Sequence, residues 1–196
     1  MEGSFLKRRL RKEFRQRRRN LDPNARQSAD RAIHRTLIEL VESTACASLS
    51  AFVSFDGEPD LGPTLNVLSR RGVRIALPVI VDAPETPRLQ FCNWDPSMPL
   101  ARNFFGIDEP GSGDVVPPGD LDLVLLPLVA WDECGHRLGM GAGYYDRALA
   151  SVVDCSRPLR VGIAYALQQA DRLPADPWDV RLHQVITENG RFTCEA

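Results

Sequence analysis

No two of the five cysteines stand in a C-x-x-C pair, so neither a zinc cage nor a small disulfide framework is indicated for this 196-residue chain. Their wide spacing is that of free thiols in a reducing compartment, and a cytoplasmic protein is expected. Long apolar runs are also missing. The longest uncharged one, Leu123 to Trp131, is far short of a membrane span and contains Pro127. The basic N-terminus lacks the apolar core and small-residue cleavage site of a secretory signal. No internal repeat or low-complexity tract occurs, and neither G-K-[ST] nor G-x-G-x-x-G is present, so P-loop and dinucleotide fingerprints are both excluded. The three histidines (His34, His136, His183) show no ligand spacing, and no Ser-His or Cys-His nucleophile pair stands out. His34 is expected on a helix surface.

What is present is the composition of a soluble globular protein, 43% hydrophobic and 26% charged. One domain spanning 1–196 is expected. The net charge of −2 conceals an asymmetry, because residues 1–20 hold nine Lys or Arg against Glu2 and Glu13. Such a segment suits an anionic partner, whether nucleic acid, an acidic lipid surface or a nucleotide, while its plainer reading is a solvated helix face. Leu6, Leu10 and Phe14 recur every four residues and give one apolar stripe, so a helix over 4–20 is expected to dock on the domain.

Asp22-Pro23 reads as a cap with proline in the first helical turn, and Ala25, Ala29, Ala32, Ile33, Leu37, Leu40 and Val41 are expected to supply the buried face of a helix ending near Ser43. Strands are expected at 49–53, 73–77 (stopped by Pro78), 89–92, 121–126 and 159–164, with helices at 61–71 and 144–153. Residues 82–120, rich in Pro, Gly and Asp, read as an edge excursion with hairpins. Strand-helix-strand alternation predicts an α/β fold: an open, mostly parallel sheet with helices on both faces. Ligands bind beyond the carboxyl ends of such strands, where loops 54–60 and 131–143 should meet.

Within the second loop Gly139, Gly141 and Gly143 alternate before a helix start. Glycines there allow close approach, and successive N–H groups can converge on an anion. A structural loop needing positive φ would explain the glycines equally. Arg137 stands at the entrance as a bidentate phosphate ligand. Asp146 reads either as a favourable acid in a first helical turn or as a magnesium ligand, and Asp179 either as a turn residue or as the second carboxylate. Trp131 and Tyr144 are candidates for stacking on a ring or, more plainly, for packing.

The segment Arg-Leu-Gly-Met-Gly-Ala-Gly-Tyr-Tyr-Asp-Arg at 137–147 resembles the nucleotide and folate loop of 5-formyltetrahydrofolate cyclo-ligases, also called methenyltetrahydrofolate synthetases. The likeness extends to Lys-x-x-Leu-Arg at 7–11, Ser-Phe-Asp-Gly-Glu at 54–58, Pro-Leu-Val-Ala-Trp-Asp at 127–132 and Pro-Trp-Asp at 177–179. The resemblance implies the cyclo-ligase fold, of the CoA-transferase-like kind, and the ATP- and Mg2+-dependent conversion of 5-formyltetrahydrofolate to 5,10-methenyltetrahydrofolate. It implies ATP contacts at Lys7, Arg8, Arg9, Leu10 and Arg11 and at Arg137, Leu138, Gly139, Met140, Gly141, Ala142, Gly143, Tyr144 and Tyr145. Folate contacts are implied at Val53, Glu58 and Met140 to Tyr144, magnesium at Asp146 and Asp179, and catalytic roles for Lys7, Glu58 and Arg137. A monomer without membrane or nucleic-acid partners is expected. Ala142 departs from the Gly or Lys usual in the family, which removes any lysine charge and restricts the backbone there. The alternatives are a nucleic-acid-binding protein using the arginine-rich helix and a family member that binds nucleotide or folate without this turnover.

Overall fold

A computed structural model describes residues 2–81 and 87–195; the part of the expected edge excursion at 82–86 lies outside the described residues. The chain begins with α1 (Glu2–Arg19) and α2 (Pro23–Ser43), followed by β1 (Ser48–Ser50), α3 (Gly62–Arg70), β2 (Arg74–Val81) and β3 (Arg88–Trp94). Short strands β4 (Leu100–Arg102), β5 (Asp108–Pro110) and β6 (Val115–Val116) lead into β7 (Leu123–Pro127). Then come β8 (Ala130–Trp131), β9 (Arg137–Leu138), α4 (Tyr144–Leu149), β10 (Leu159–Ile163), β11 (Gln184–Thr187) and β12 (Gly190–Thr193).

Eight strands form one sheet in the order β12-β11-β10-β7-β1-β2-β3-β6. The five from β11 to β2 run parallel, and antiparallel strands border them on both sides. The mostly parallel α/β sheet expected from the alternation is therefore what the chain forms. Side chains of β7 point alternately to the two faces: Leu123 and Leu125 join the core under α2 and α3, while Val124 and Leu126 join the core under α4. All four are buried almost completely, each contributing about 1.5–3 kcal/mol. A third apolar group, Phe14 with Val129, Ala130, Leu138 and Leu173, holds α1, and Leu10 packs against it.

The Asp22 cap is real, its Oδ1 accepting from Asn24 N at 2.9 Å and Ala25 N at 3.1 Å. Several expectations need correction. Pro78 does not stop β2, because the strand runs on to Val81 against β3. Ala76 accepts from Ala51 on the β1 side, so Pro78, two residues on, turns its missing N–H toward a neighbour that has already ended. The first strand is shorter than 49–53, since only Ser48–Ser50 lie in the ladder. The helix from Tyr144 is α-helical only to Leu149 and tightens to a 3-10 turn at Ala150–Val152. His34 lies half-buried on the surface of α2 as expected, but it has a partner there: its Nδ1 meets Thr64 Oγ1 at 2.8 Å and links α2 to α3. The β11–β12 hairpin was not foreseen, although Thr187 pairs with Gly190 across the two-residue turn Glu188-Asn189.

Strand order reverses between β1 and β7. The chain leaves β1 for β2 on one side, while β7, on the other, leads toward β10. Loops leaving the ends of these two parallel neighbours separate there and open a crevice.

Candidate functional site

That crevice is a cleft of about 1150 Å³. Its floor is formed by Phe52, Val53, Pro127 and Leu128 at the ends of β1 and β7. One wall is the glycine loop from Arg137 to Asp146, a second is α1 with Lys7 and Arg11, and a third is the β4–β5 hairpin with Asn103, Phe105 and Ile107.

The first strand leads into a tight turn in which Glu58 N donates to Phe55 O at 3.0 Å and Asp56 adopts φ 53°. This turn aims Asp56 at α1 and Glu58 into the cleft. Asp56 accepts from Arg15 Nε (2.7 Å), Arg18 Nη2 (3.0 Å) and Arg19 Nε (2.5 Å). Burial would raise its pKa, but these cations together hold it below the ordinary aspartate value. Arg18 is fully buried, donates to Leu128 O at 3.0 Å and lies 3.5 Å from Glu58 Oε1. Much of the N-terminal charge is thus turned inward onto one loop. Glu58 differs from Asp56. Desolvation dominates there, and despite Arg18 and the Phe55 N–H its carboxyl is pushed up to about 7.

On the opposite side Arg11 Nε donates to Gly139 O at 2.8 Å, so the first helix and the glycine loop touch. Gly141 and Gly143 have φ of 108° and 67°, values that alanine adopts only with strain. A Cβ on Gly141 would sit 3.3 Å from the Arg11 guanidinium carbon. Ala142 lies outside the positive-φ set, so alanine is accommodated without strain; its carbonyl accepts from Arg147 Nη1 at 2.8 Å. Desolvation lowers the Arg11 pKa.

Cations and carboxylates alternate along the rim. Lys7 Nζ donates to Asp176 Oδ2 at 2.7 Å and to Asp179 Oδ2 at 2.8 Å. Burial lowers the Lys7 pKa, but the two carboxylates outweigh it and the net direction is upward. Arg137 Nη2 donates to Asp146 Oδ1 at 2.6 Å, which also accepts from Val180 N at 3.1 Å. The Arg137 Nε is buried without a partner among the described residues. Asp146 Oδ2 and Asp179 Oδ1 likewise have no hydrogen-bond partner among the described residues, leaving one hard oxygen on each. Two carboxylates with free oxygens in a cleft that also holds the glycine loop are the kind of hard donors magnesium takes.

The cleft therefore brings together Lys7, Arg11, Val53, Glu58 and every residue from Arg137 to Asp146, with Asp179. It does not include Arg8, Arg9 or Leu10. Arg8 and Arg9 are exposed, and Leu10 packs inward against Phe14 and its neighbours. Trp131 is packing, buried against Phe192 with ring centroids 5.5 Å apart, and Tyr144 meets Phe105 edge-on at 6.1 Å. Sequence reasoning missed Asp176 and the hairpin wall. Asp176 was legible as an acid three residues before Asp179. Phe105 lies beside Phe104 in an Asn-Phe-Phe-Gly turn, a sign of an exposed apolar tip. Glu109 joins that hairpin to β2, accepting from Asn103 Nδ2 at 2.8 Å and Ile80 N at 3.2 Å.

Residues 4–188 match the family model described as the 5-formyltetrahydrofolate cyclo-ligase family. The 5-formyltetrahydrofolate cyclo-ligase of Escherichia coli strain K12 is 37% identical over 176 residues, covering 89% of this chain and 96% of that protein. That of Haemophilus influenzae is 35% identical over 180 residues, 90% and 95% of the two chains. The solved structure of Aquifex aeolicus 5,10-methenyltetrahydrofolate synthetase superposes with a TM-score of 0.82 at 32% identity, covering 97% of this chain and 94% of its own. That of the Mycoplasma pneumoniae synthetase gives 0.75 at 26% identity.

Proposed function

Since the chain belongs to the 5-formyltetrahydrofolate cyclo-ligase family, we propose that its cleft couples ATP and magnesium to closure of 5-formyltetrahydrofolate into 5,10-methenyltetrahydrofolate. The observation that supports this reading is the Arg11–Gly139 contact, which joins the N-terminal helix to the glycine turn at one cleft.

A formamide is a poor electrophile, because nitrogen donation stabilises its carbonyl and oxide is a very poor leaving group. Transfer of the γ-phosphoryl group of ATP to the formyl oxygen removes both obstacles and releases ADP. N10 then attacks the activated formyl carbon, its proton is lost, and the C–O bond breaks as phosphate leaves. Such transfer depends chiefly on positioning and charge neutralisation. Lys7, Arg11 and Arg137 with the loop amides hold the phosphates, and Glu58 holds the pterin through hydrogen bonds its carboxylate accepts. Val53 and the Met140–Tyr144 segment contact the folate. Asp146 and Asp179 would hold magnesium, which when bound neutralises charge on the phosphate oxygens. The ion pairs on the rim suit this: a magnesium triphosphate carries both signs, so phosphates can take Lys7 and Arg137 while the metal takes their carboxylate partners.

The whole chain acts as one domain with α1 docked on it, in a cytoplasmic setting consistent with five free cysteines. Among the described residues no helix is long and apolar enough to cross a membrane. The nucleic-acid alternative loses support because Arg15, Arg18 and Arg19 are held on Asp56. The test is an absorbance assay for methenyl product with purified protein, 5-formyltetrahydrofolate, ATP and magnesium, each omitted in turn. Product is expected only in the complete mixture; product formed without ATP would reject the coupling.

A further inference from the structure

Away from the cleft, the five-residue loop Asp132-Glu-Cys-Gly-His136 closes the β8–β9 hairpin. Among the described residues it holds the one group of three His, Cys, Asp or Glu side chains whose potential ligand atoms all lie within 4.8 Å of one another: Asp132, Cys134 and His136. None of the three lines the cleft. The loop is drawn tight by backbone bonds, Asp132 N to His136 O at 3.1 Å and Gly135 N to Asp132 O at 3.0 Å. Tight closure turns ligand spacings of two and four residues into a three-dimensional cluster.

A fourth group arrives from the end of the chain. Glu195 N donates to Glu133 O at 2.9 Å and Leu182 N to Gly135 O at 2.8 Å, so the residues that flank the β11–β12 hairpin, Leu182 before it and Glu195 after it, lie directly on the loop. Gly135 has φ 77°, and a Cβ there would stand 2.5 Å from Leu182 O and 3.4 Å from Cys194 Sγ. The Cys194 thiol is therefore beside the residue that separates Cys134 from His136. Glycine is what permits this approach.

We propose that Asp132, Cys134, His136 and Cys194 form a binding site for a thiophilic divalent cation of the zinc class, separate from the magnesium position in the cleft. Ligands bound tetrahedrally to zinc at ~2.0–2.3 Å stand ~3.3–3.8 Å from one another, so Asp132, Cys134 and His136, spread within 4.8 Å, need only a small contraction, while Cys194, outside that group, must turn its thiol toward them from beside Gly135. His136 Nδ1 and Asp132 Oδ2 are already 3.0 Å apart. The carboxylate is itself oriented, accepting from Leu173 N outside the loop at 2.9 Å and from the backbone His136 N within it at 3.0 Å, the kind of support that ordered metal ligands receive. Two thiols and an imidazole select zinc, or cobalt(II) as its spectroscopic substitute, over magnesium or calcium. Cys134 is exposed and gives the ion an entry path.

The chelated, fully reduced protein is titrated with cobalt(II) in the absence of nucleotide and folate. One ion per chain is expected, with the visible bands of tetrahedral cobalt and a near-ultraviolet thiolate charge-transfer band, both abolished by zinc. Cys134→Ser, at an exposed position, should keep the native circular dichroism and turnover while binding cobalt at least about tenfold more weakly. His136→Ala should weaken binding similarly, and Cys194→Ser should reduce the charge-transfer intensity. Absence of that band in the native protein overturns the site, as does a band of undiminished intensity in Cys134→Ser or Cys194→Ser. Because neither nucleotide nor folate is present, the outcome is independent of the catalytic reading.

Discussion

Two acidic residues two positions apart, Asp56 and Glu58, show how local surroundings decide what a carboxyl group does. Asp56 sits under three guanidinium groups, and its pKa falls below the ordinary value. Glu58 is desolvated with one cation 3.5 Å away, and its pKa rises from 4.5 to about 7. The folded protein therefore binds a proton more readily at Glu58 than the unfolded chain does. Stability contributed by the neutral form is complete below about pH 4.5 and lost as pH rises through about 7. Glu58→Gln, which cannot ionise, should show a urea midpoint relative to wild type that improves between those limits. The same variant should lose roughly 10–100-fold in kcat/KM for the folate, because a charged acceptor is replaced by a neutral one. In wild type, kcat/KM for the folate should rise with pH through about 7, as the carboxylate proposed to hold the pterin forms. A flat profile would remove Glu58 from that role. For Asp146→Ala, a magnesium titration of initial rates should shift to higher concentration with a depressed plateau. Arg137 would then have lost its 2.6 Å partner as well.

Among the elements, α1 is the one whose composition misleads most when read alone. Nine basic residues in the first twenty suggest a surface for polyanions, yet Phe14 is buried, Arg18 is fully buried, and Lys7 and Arg11 face the cleft. The helix is held by apolar packing on one side and by ion pairs to a single loop on another. Arg18→Ala should cost about 3–5 kcal/mol in chemical denaturation, since Asp56 and Glu58 would keep their burial and lose their shared cation. Arg8→Ala, at an exposed position, should change stability by no more than about 0.5 kcal/mol. Equal effects from the two would contradict the inward pairing. The helix itself was legible because Leu6, Leu10 and Phe14 repeat every four residues. The bonds of its arginines were not, since Asp56 is 37 to 41 residues away and nothing local marks it as their acceptor.

For the molecule as a whole, the cleft is a meeting of segments that are distant in the chain: α1, the turn after β1, the β4–β5 hairpin, the glycine loop and the 174–179 segment. A ligand that binds several of them should stabilise all of them together. Magnesium ATP is accordingly expected to raise the thermal midpoint of the full chain and to slow amide exchange in α1 as well as in the glycine loop. Protection confined to the glycine loop would separate the two regions and remove the basis for joint phosphate binding.

The sequence by itself determined the succession of strands and helices, because side-chain periodicity and capping act over a few residues. Four nearly invisible surfaces of β7, the Asp22 cap and the glycine alternation before α4 are all local facts of this kind. Its motifs also carried the family likeness. Only the tertiary structure decided which charges are spent internally, that Asp176 shares Lys7 with Asp179, and that Cys194 comes to rest beside Gly135 of the β8–β9 loop. Those pairings depend on where the sheet order reverses and how its edges close. A charge has no periodicity that reveals its partner across such a distance, and only the folded chain sets the distances on which electrostatics and coordination depend.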